Sequence, residues 1–131
     1  MSRPYSVLLA EDDDPLRAIL VELLQARGWQ TYSTDQGREA VELAKQHHVD
    51  FSILDMHLPG ITGLEVFTHI LREVGPLPSI MISGDATRQE TQAMLRSGVF
   101  RFLRKPLVFD HLQHCLDQLI QHHFPTSGPP S

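Results

Sequence analysis

Residues 51 to 60 read FSILDMHLPG, and this stretch decides the fold class. Its first four residues form a short, mostly apolar run, which is typical of a strand buried on both faces of a parallel sheet. The run ends at Asp55, and a Pro59-Gly60 turn follows. Open α/β sheets bind their ligands outside the carboxyl ends of the strands. The stretch therefore predicts an α/β domain with Asp55 at its functional edge.

The same strand-then-helix pattern recurs from end to end. The predicted strands are residues 7–10, 29–33, 51–54, 80–82 and 100–103, and each is followed by apolar residues at helical spacing. Strict alternation of this kind predicts a parallel sheet with helices on both faces. Right-handed crossovers leave few topologies. We therefore predict a flavodoxin-like, doubly wound (βα)5 fold with a five-stranded parallel sheet in the order 2-1-3-4-5.

Length and composition indicate one ordinary globular domain. The chain has 131 residues, which we divide into a domain at 1–123 and a flexible tail or linker start at 124–131, FPTSGPPS. The first apolar run is too short for a signal peptide or membrane span, and a single cysteine suits a reducing compartment, so we expect a cytoplasmic protein. The net charge of −5 argues against direct nucleic-acid binding by this domain.

Side chains with carboxylate, hydroxyl or amino groups follow the predicted strands. They are Glu11 and Asp12 after the first strand, Asp55 after the third, Ser83 after the fourth and Lys105 after the fifth. Strands one and three are neighbours in the predicted order, so three carboxylates would meet there and repel one another. Mg²⁺ would relieve that repulsion, and a carboxylate can itself attack phosphorus to form an acyl phosphate. The pattern thus indicates Mg²⁺-dependent phosphorylation of Asp55.

These motifs closely resemble the receiver domain of two-component response regulators, and in particular chemotaxis-regulator-like ones. The matching stretches are residues 11–13 with Leu16-Arg17, 54–60 with Gly63, 82–84 and 102–106, and the likeness covers roughly 5 to 122. It implies a signalling domain and not an enzyme, although one that supports its own phosphotransfer and slow autodephosphorylation. The donor would be a phosphohistidine on a sensor histidine kinase or a histidine phosphotransfer protein.

The resemblance also implies roles for particular residues near the acids. Asp55 would be the phosphoacceptor. Asp12, Glu11 and Asp55 would hold Mg²⁺ together with the backbone carbonyl of His57, and Mn²⁺ could take the place of Mg²⁺.

Further positions are implied to bind or sense the phosphoryl group. Ser83 and Lys105 would contact its oxygens. Ser83 and Phe102 would form the conformational switch, although Phe102 lacks the hydroxyl of a tyrosine. His57 and Asp85, each two residues past a strand-end residue, would tune the lifetime of the acyl phosphate.

Residues 87–122 would form the readout surface for an output domain or target protein. Four arginines give this surface a basic character: Arg88, Arg96, Arg101 and Arg104. We expect it to suit either a partner protein or a symmetric homodimer.

Two local assignments stay open at this point. The acidic run continues through Asp13 and Asp14, so the metal-binding pair is open to a shift by one residue. Asp14 followed by Pro15 also predicts a helix that is capped by Asp14 and has proline in its first turn.

Three other functions compete with the signalling interpretation. A haloacid dehalogenase-type aspartyl-phosphate phosphatase would need a second aspartate two residues after its nucleophile, where this chain has His57. A dinucleotide- or flavin-binding module would need glycines in the first strand–helix turn, where residues 11–14 are all acidic. A degenerate receiver that only binds proteins would not need the complete set of phosphorylation residues.

Overall fold

In the computed structural model, residues 3–125 are described, and they form five strands that alternate with five helices. The elements are β1 (Ser6–Ala10), α1 (Asp14–Ala26), β2 (Gln30–Thr34), α2 (Gly37–Gln46), β3 (Phe51–Asp55), α3 (Gly63–Glu73), β4 (Ser79–Ser83), α4 (Arg88–Ser97), β5 (Arg101–Arg104) and α5 (Phe109–His123). All neighbouring strands run parallel, in the order β2-β1-β3-β4-β5. The predicted fold class and strand order are confirmed.

The helices divide between the two faces of the sheet. The apolar cluster beneath α2, α3 and α4 takes Leu8, Leu54 and Met81 from the strands, whereas the cluster beneath α1 and α5 takes Leu9 and Ile53. This division follows from the two-residue period of a strand, which sends successive side chains to opposite faces. β1, β3 and β4 are buried along their whole length, so each reads as a nearly continuous apolar run.

The two outer strands, β2 and β5, are partly exposed, so their sequences are less continuously apolar than those of β1, β3 and β4. β2 pairs only with β1, and β5 pairs only with β4. Each has one uncovered edge, and arginines stand at both ends of β5. Charged residues on an edge strand discourage pairing with a second sheet.

The start of α1 differs from its prediction by one residue. Asp13, not Asp14, is the N-cap, and its Oδ1 accepts a hydrogen bond of 3.0 Å from the backbone N–H of Leu16. Asp14 is the first helical residue, where it pairs with Arg17 at 2.8 Å. The prediction of an Asp14 cap was wrong because consecutive acids can each serve as a cap, and sequence alone does not show which one turns toward the helix.

The described chain ends beyond α5, against the aromatic residues at the start of the sheet. Phe124, the first residue of the predicted tail, packs on Tyr5 with ring centroids 5.2 Å apart. Residues 126–131 of that tail lie outside the described part, so its flexibility stays a prediction. Within residues 3–125, the structure has no helix of the length and hydropathy that a bilayer crossing requires.

Candidate functional site

Three carboxylates meet at the carboxyl edge of the sheet, as the strand order requires. Glu11 follows β1 and Asp55 ends β3, which are neighbouring strands, and both side chains are almost fully buried. Asp12 is exposed beside them. One carboxylate oxygen from each of the three residues lies within 4.8 Å of the other two. Because Asp13 caps α1 instead, the structure favours Glu11 and Asp12 over a pair shifted by one residue.

Lys105 places its ammonium group between the two buried acids. Its Nζ lies 2.9 Å from both carboxylate oxygens of Glu11 and 3.0 Å from Oδ2 of Asp55. The backbone N–H of Lys105 donates to the carbonyl of Ser83 at 2.9 Å, which fixes the end of β5 beside the end of β4. The predicted approach of Lys105 to the acids is present in the structure.

The single positive charge of Lys105 does not balance two buried carboxylates, those of Glu11 and Asp55. Burial raises the pKa of Glu11 to about 7, and a hydrogen bond with Asp55 adds to the rise. Burial alone would also raise the pKa of Asp55, but hydrogen bonds with Glu11 and Lys105 outweigh it, so the pKa of Asp55 is lowered. Burial and the neighbouring Asp55 therefore favour the protonated form of Glu11, whereas hydrogen bonds with Glu11 and Lys105 favour the ionised form of Asp55.

Two backbone contacts hold the loop that carries Glu11. The Nη1 of Arg17 donates to the carbonyl of Glu11 at 2.9 Å, and the N–H of Glu11 donates to the carbonyl of Thr34 at 3.0 Å. Arg17 thus anchors the loop from the first turn of α1. The sequence motif around Leu16-Arg17 did not predict the contact of Arg17 with the Glu11 carbonyl, because sequence alone does not show where a long side chain points.

Gly63, the first residue of α3, lies directly against the main chain of Asp55. A Cβ atom at position 63 would stand 2.2 Å from the carbonyl oxygen of Asp55 and 2.9 Å from Sδ of Met81. The N–H of Gly63 also donates to the carbonyl of Met56 at 2.8 Å. Only glycine permits this approach, so α3 positions Asp55 through its backbone.

Ser83 is fully buried at the end of β4, one strand away from Asp55. Its Oγ accepts a long hydrogen bond of 3.4 Å from the N–H of Asp85. Next to it, a Cβ at Gly84 would meet Cβ of Lys105 at 3.5 Å, an ordinary contact. Ser83 and Lys105 therefore lie side by side, as the strand-end pattern predicts.

His57 and Asp85 contact each other across the edge of the site. The Nε2 of His57 lies 3.1 Å from Oδ1 of Asp85 and 3.9 Å from Oε2 of Glu90, while the backbone N–H of His57 donates to Oδ1 of Asp55 at 3.1 Å. The sequence singled out both positions but not their contact. The usable signal was that each lies two residues past the end of adjacent strands.

Phe102 is half-buried in β5 opposite Met81 of β4, and it packs against the apolar cluster on the α4 side of the sheet. The guanidinium carbon of Arg104 lies 5.3 Å from the centre of its ring, within the range of a cation–π interaction. Residues two apart in a strand share a face, which explains this pairing.

An apolar groove of about 570 Å³ opens beside Lys105. Its walls come from the start of α1 and from the β5–α5 loop, and include Leu16, Ile19, Leu107 and Phe109. Ile19 and Phe109 are exposed despite being large and apolar.

A flavodoxin-like domain with a buried aspartate, two further acids and a lysine at its carboxyl edge has the features of a signalling receiver. A family model described as the response regulator receiver domain matches residues 7–117, and the chain belongs to that family. The resemblance inferred from the motifs is thereby confirmed.

Curated relatives agree with this membership. The polar-differentiation response regulator DivK of Brucella ovis is 30% identical over 104 residues, which cover 78% of this chain and 85% of that protein. The protein of the same name from Brucella anthropi is 31% identical over 107 residues, with 79% and 86% covered.

Solved structures support the fold. The receiver domain of an HD domain-containing protein from Pseudomonas fluorescens Pf-5 superposes with a TM-score of 0.87 at 22% identity, covering 95% of this chain and 93% of that one. The chemotaxis protein CheY4 of Vibrio cholerae gives a TM-score of 0.81 at 24% identity, covering 88% and 98%.

Substitution of Gly63 tests whether α3 positions Asp55. Because the new methyl group would overlap the Asp55 carbonyl, Gly63→Ala should destabilise the fold by about 2 kcal/mol in denaturant unfolding. The matched control is Gly84→Ala, whose methyl group has ordinary contacts and should change stability by less than about 0.5 kcal/mol. Equal stability of the two variants would contradict the proposed role of Gly63.

Proposed function

We propose that Asp55 accepts a phosphoryl group from a phosphohistidine of a sensor kinase or phosphotransfer protein, and that this modification switches the domain between two conformations. The observation that carries the proposal is the position of Lys105 Nζ between Glu11 and Asp55, with Asp12 beside them. In the transfer, the bond from phosphorus to the histidine nitrogen breaks and a bond from phosphorus to an Asp55 oxygen forms. The displaced imidazole leaves as the neutral group after taking up a proton.

The acidic cluster suits Mg²⁺ as the cofactor, and Mn²⁺ as its substitute. Hard divalent cations prefer oxygen ligands, and Glu11, Asp12 and Asp55 supply carboxylates within reach of one ion. The backbone carbonyl of His57 is our fourth proposed protein ligand. A bound cation would neutralise charge on the phosphoryl oxygens during transfer.

The residues around Asp55 would hold the product and report it. Lys105 would exchange its contact with Asp55 for one with a phosphoryl oxygen, and the Ser83 hydroxyl would donate to another oxygen. These movements at the ends of β4 and β5 would favour one of two arrangements of the Phe102 side chain, which lies within β5 shortly before Lys105. The proposed switch relies on packing, since Phe102 has no hydroxyl.

Two surfaces fit the proposed partners. The apolar groove beside Lys105 lies where a donor protein must approach Asp55, and its exposed Ile19 and Phe109 would be buried by that protein. Residues 87–122 would carry the signal to an output domain or target. In the proposed role the protein is a switch and not a phosphatase. The residue two positions after Asp55 supports this, because the rival phosphatase needs a general-acid aspartate there and this chain has His57. The cytoplasmic location stays a prediction.

Phosphorylation by a small-molecule donor tests the central proposal. With acetyl phosphate and Mg²⁺, intact-mass spectrometry should detect one phosphoryl adduct on the wild-type chain and none on Asp55→Asn, because the amide is not a nucleophile. Asp35→Asn makes the same chemical change at an exposed aspartate outside the site and should keep the adduct. An undiminished adduct on Asp55→Asn would disprove the assignment.

The raised pKa of Glu11 predicts pH-dependent Mg²⁺ binding. Protonated Glu11 must lose its proton to bind the ion, so affinity measured by calorimetry should fall as pH drops below about 7, approaching tenfold per pH unit. The variant Glu11→Gln should bind Mg²⁺ more weakly and show little pH dependence in that range. A pH dependence that persists in Glu11→Gln would contradict the role of this carboxylate.

The contact between His57 and Asp85 predicts an effect on acyl-phosphate lifetime. The two side chains contact each other beside Asp55, whose Oδ1 accepts from the backbone N–H of His57, so we expect that breaking the pair makes the phosphorylated form hydrolyse several times faster. His57→Ala, Asp85→Ala and the double variant should have similar rates, because each removes the same contact. Asp35→Ala, an exposed acid at another strand end, is the control. Unchanged hydrolysis in both single variants would rule out the tuning role.

A further inference from the structure

β2 forms one open edge of the sheet and carries none of the usual obstacles to further pairing. It pairs with β1 in an unbroken register of five residues and has no strand on its other side within residues 3–125. Its sequence, QTYST, contains no charged residue, proline or glycine, whereas the other outer strand has arginines at both ends. Proteins ordinarily protect exposed edges with charges, proline or bulges, so β2 is open to a further strand.

The main-chain groups of β2 that point outward follow from its contacts with β1. The N–H of Gln30 donates to the carbonyl that precedes β1 at 2.9 Å, and the carbonyl of Thr34 accepts from the N–H of Glu11 at 3.0 Å. Main-chain groups alternate along a strand between its two sides, so the even-numbered residues of β2 bond to β1. Thr31 and Ser33 therefore direct their N–H and carbonyl groups away from the sheet.

Thr31 also has an unsatisfied hydroxyl group at this edge. Its Oγ1 is buried but has no hydrogen-bond partner within residues 3–125, which costs free energy. Ser33 is exposed and lies two residues further along on the same face of the sheet. Thr and Ser side chains that face each other in an antiparallel pair can form a hydrogen bond. A second β2 strand with its Ser33 opposite Thr31 would supply the missing partner once the Thr31 side chain rotates about its Cα–Cβ bond.

We propose that two copies of this chain pair through β2 in antiparallel orientation, so that their sheets join into one continuous sheet. The two-fold axis passes through Tyr32. Thr31 of one copy then lies opposite Ser33 of the other, and each of the two facing pairs exchanges both of its N–H···O bonds. This register uses every outward main-chain group of Thr31 and Ser33 in both copies.

The side chains along this register also match. Tyr32 packs against the apolar cluster on the α2 side of the sheet, and its ring stacks on His47 with centroids 4.2 Å apart. In the dimer the two Tyr32 residues form a pair without main-chain hydrogen bonds between them, which is the arrangement that brings side chains closest. Aromatic pairs at such positions stabilise antiparallel strands.

The ends of the paired strands carry opposite charges. Asp35, which is exposed and directly follows β2, would come opposite Trp29 of the second copy. The guanidinium carbon of Arg27 lies 4.9 Å from the centre of the Trp29 ring, although the same side chain also pairs with Asp117. Each end of the interface therefore places a carboxylate near a cation, and this attraction favours the antiparallel register.

Closure of the assembly favours a second copy joined through β2 over other strand pairings. Two β5 edges would bring arginines together, and like charges oppose that. Pairing of β2 with β5 of another copy would continue indefinitely as a filament, whereas two β2 edges form a closed dimer. Asp55 ends β3, which is separated from β2 by β1, so both of its copies stay accessible. The inference therefore does not depend on the proposed function.

Sedimentation and amide exchange test the dimer on the whole, unphosphorylated chain. One pair of strand edges buries a small area, so a Kd on the order of 100 µM is expected, and sedimentation equilibrium should run from about 10 µM to about 1 mM. As the dimer fills, exchange should slow at the amides of Thr31 and Ser33. The amides of Gln30 and Tyr32 face β1 and are the internal control. A chain that stays monomeric, or unchanged exchange at Thr31 and Ser33, would overturn the proposal.

Substitutions of Ser33 locate the interface. Ser33→Pro removes an outward N–H but leaves the bonds to β1, and Ser33→Lys places a charge on the edge, so each should weaken the dimer about tenfold or more. Ser33→Thr keeps the N–H and the hydroxyl and should retain it. Circular dichroism checks that each variant is folded, and Ser33→Lys provides the test if the proline variant is not. A dimer of undiminished stability in Ser33→Lys would assign self-association to another face and refute the proposal.

Disulfide cross-linking tests the register. Facing residues without main-chain hydrogen bonds have Cα atoms about 4.5 Å apart, within the range of a disulfide, so oxidised Tyr32→Cys should form a covalent dimer. Ser33 faces Thr31, which leaves the two Ser33 residues about 7 Å or more apart, so Ser33→Cys should cross-link far less. The wild type, whose single Cys115 is buried, is the control. Equal cross-linking of the two variants, or a preference for Ser33→Cys, would contradict the proposed pairing.

Discussion

The Lys105 ammonium between the carboxylates of Glu11 and Asp55 is the interaction on which the rest of this structure depends. Two acids buried side by side would repel each other and lose their hydration, which is tolerable only with a compensating charge. Lys105 lies at the end of β5, two strands away from β3 in the sheet order, and reaches back over β4 to both acids. Its own pKa is affected by burial, which lowers it, but the hydrogen bonds to Glu11 and Asp55 outweigh this and raise it.

Other contacts at this edge serve to keep those charges at fixed separations. Gly63 lets α3 approach the main chain of Asp55, Arg17 holds the carbonyl of Glu11, and Asp13 caps α1 so that Asp12 stays free beside the acids. Each of these contacts uses backbone atoms, which are less mobile than side-chain ends. Such rigidity suits the proposed phosphorylation of Asp55, because small displacements at the site then have a definite origin.

The sequence predicted the parts of this site that depend on strand ends, and it failed where side-chain direction decides. The strands β1, β3 and β4 were predictable because burial on both faces makes their sequences almost continuously apolar. The ends of β1 and β3 then placed Glu11 and Asp55 together. The prediction that Asp14 caps α1 was wrong, because Asp13 is the N-cap. The contact of His57 with Asp85 was not foreseen, because it joins two loops whose conformations are set by tertiary packing and not by local pattern.

β5 connects the acidic edge to the exposed side chain of Arg104 over a very short distance. Lys105 follows Arg104 directly in the chain, while Arg104 and Phe102 share one face of the strand and contact each other. Lys105 contacts the acids, so a shift in its position acts on the adjacent residue through the backbone. Movement of the Phe102 ring would also alter its contact with the Arg104 guanidinium. Asp55 and the exposed side chain of Arg104 are therefore linked through Lys105, which contacts Asp55 and follows Arg104 directly in the chain.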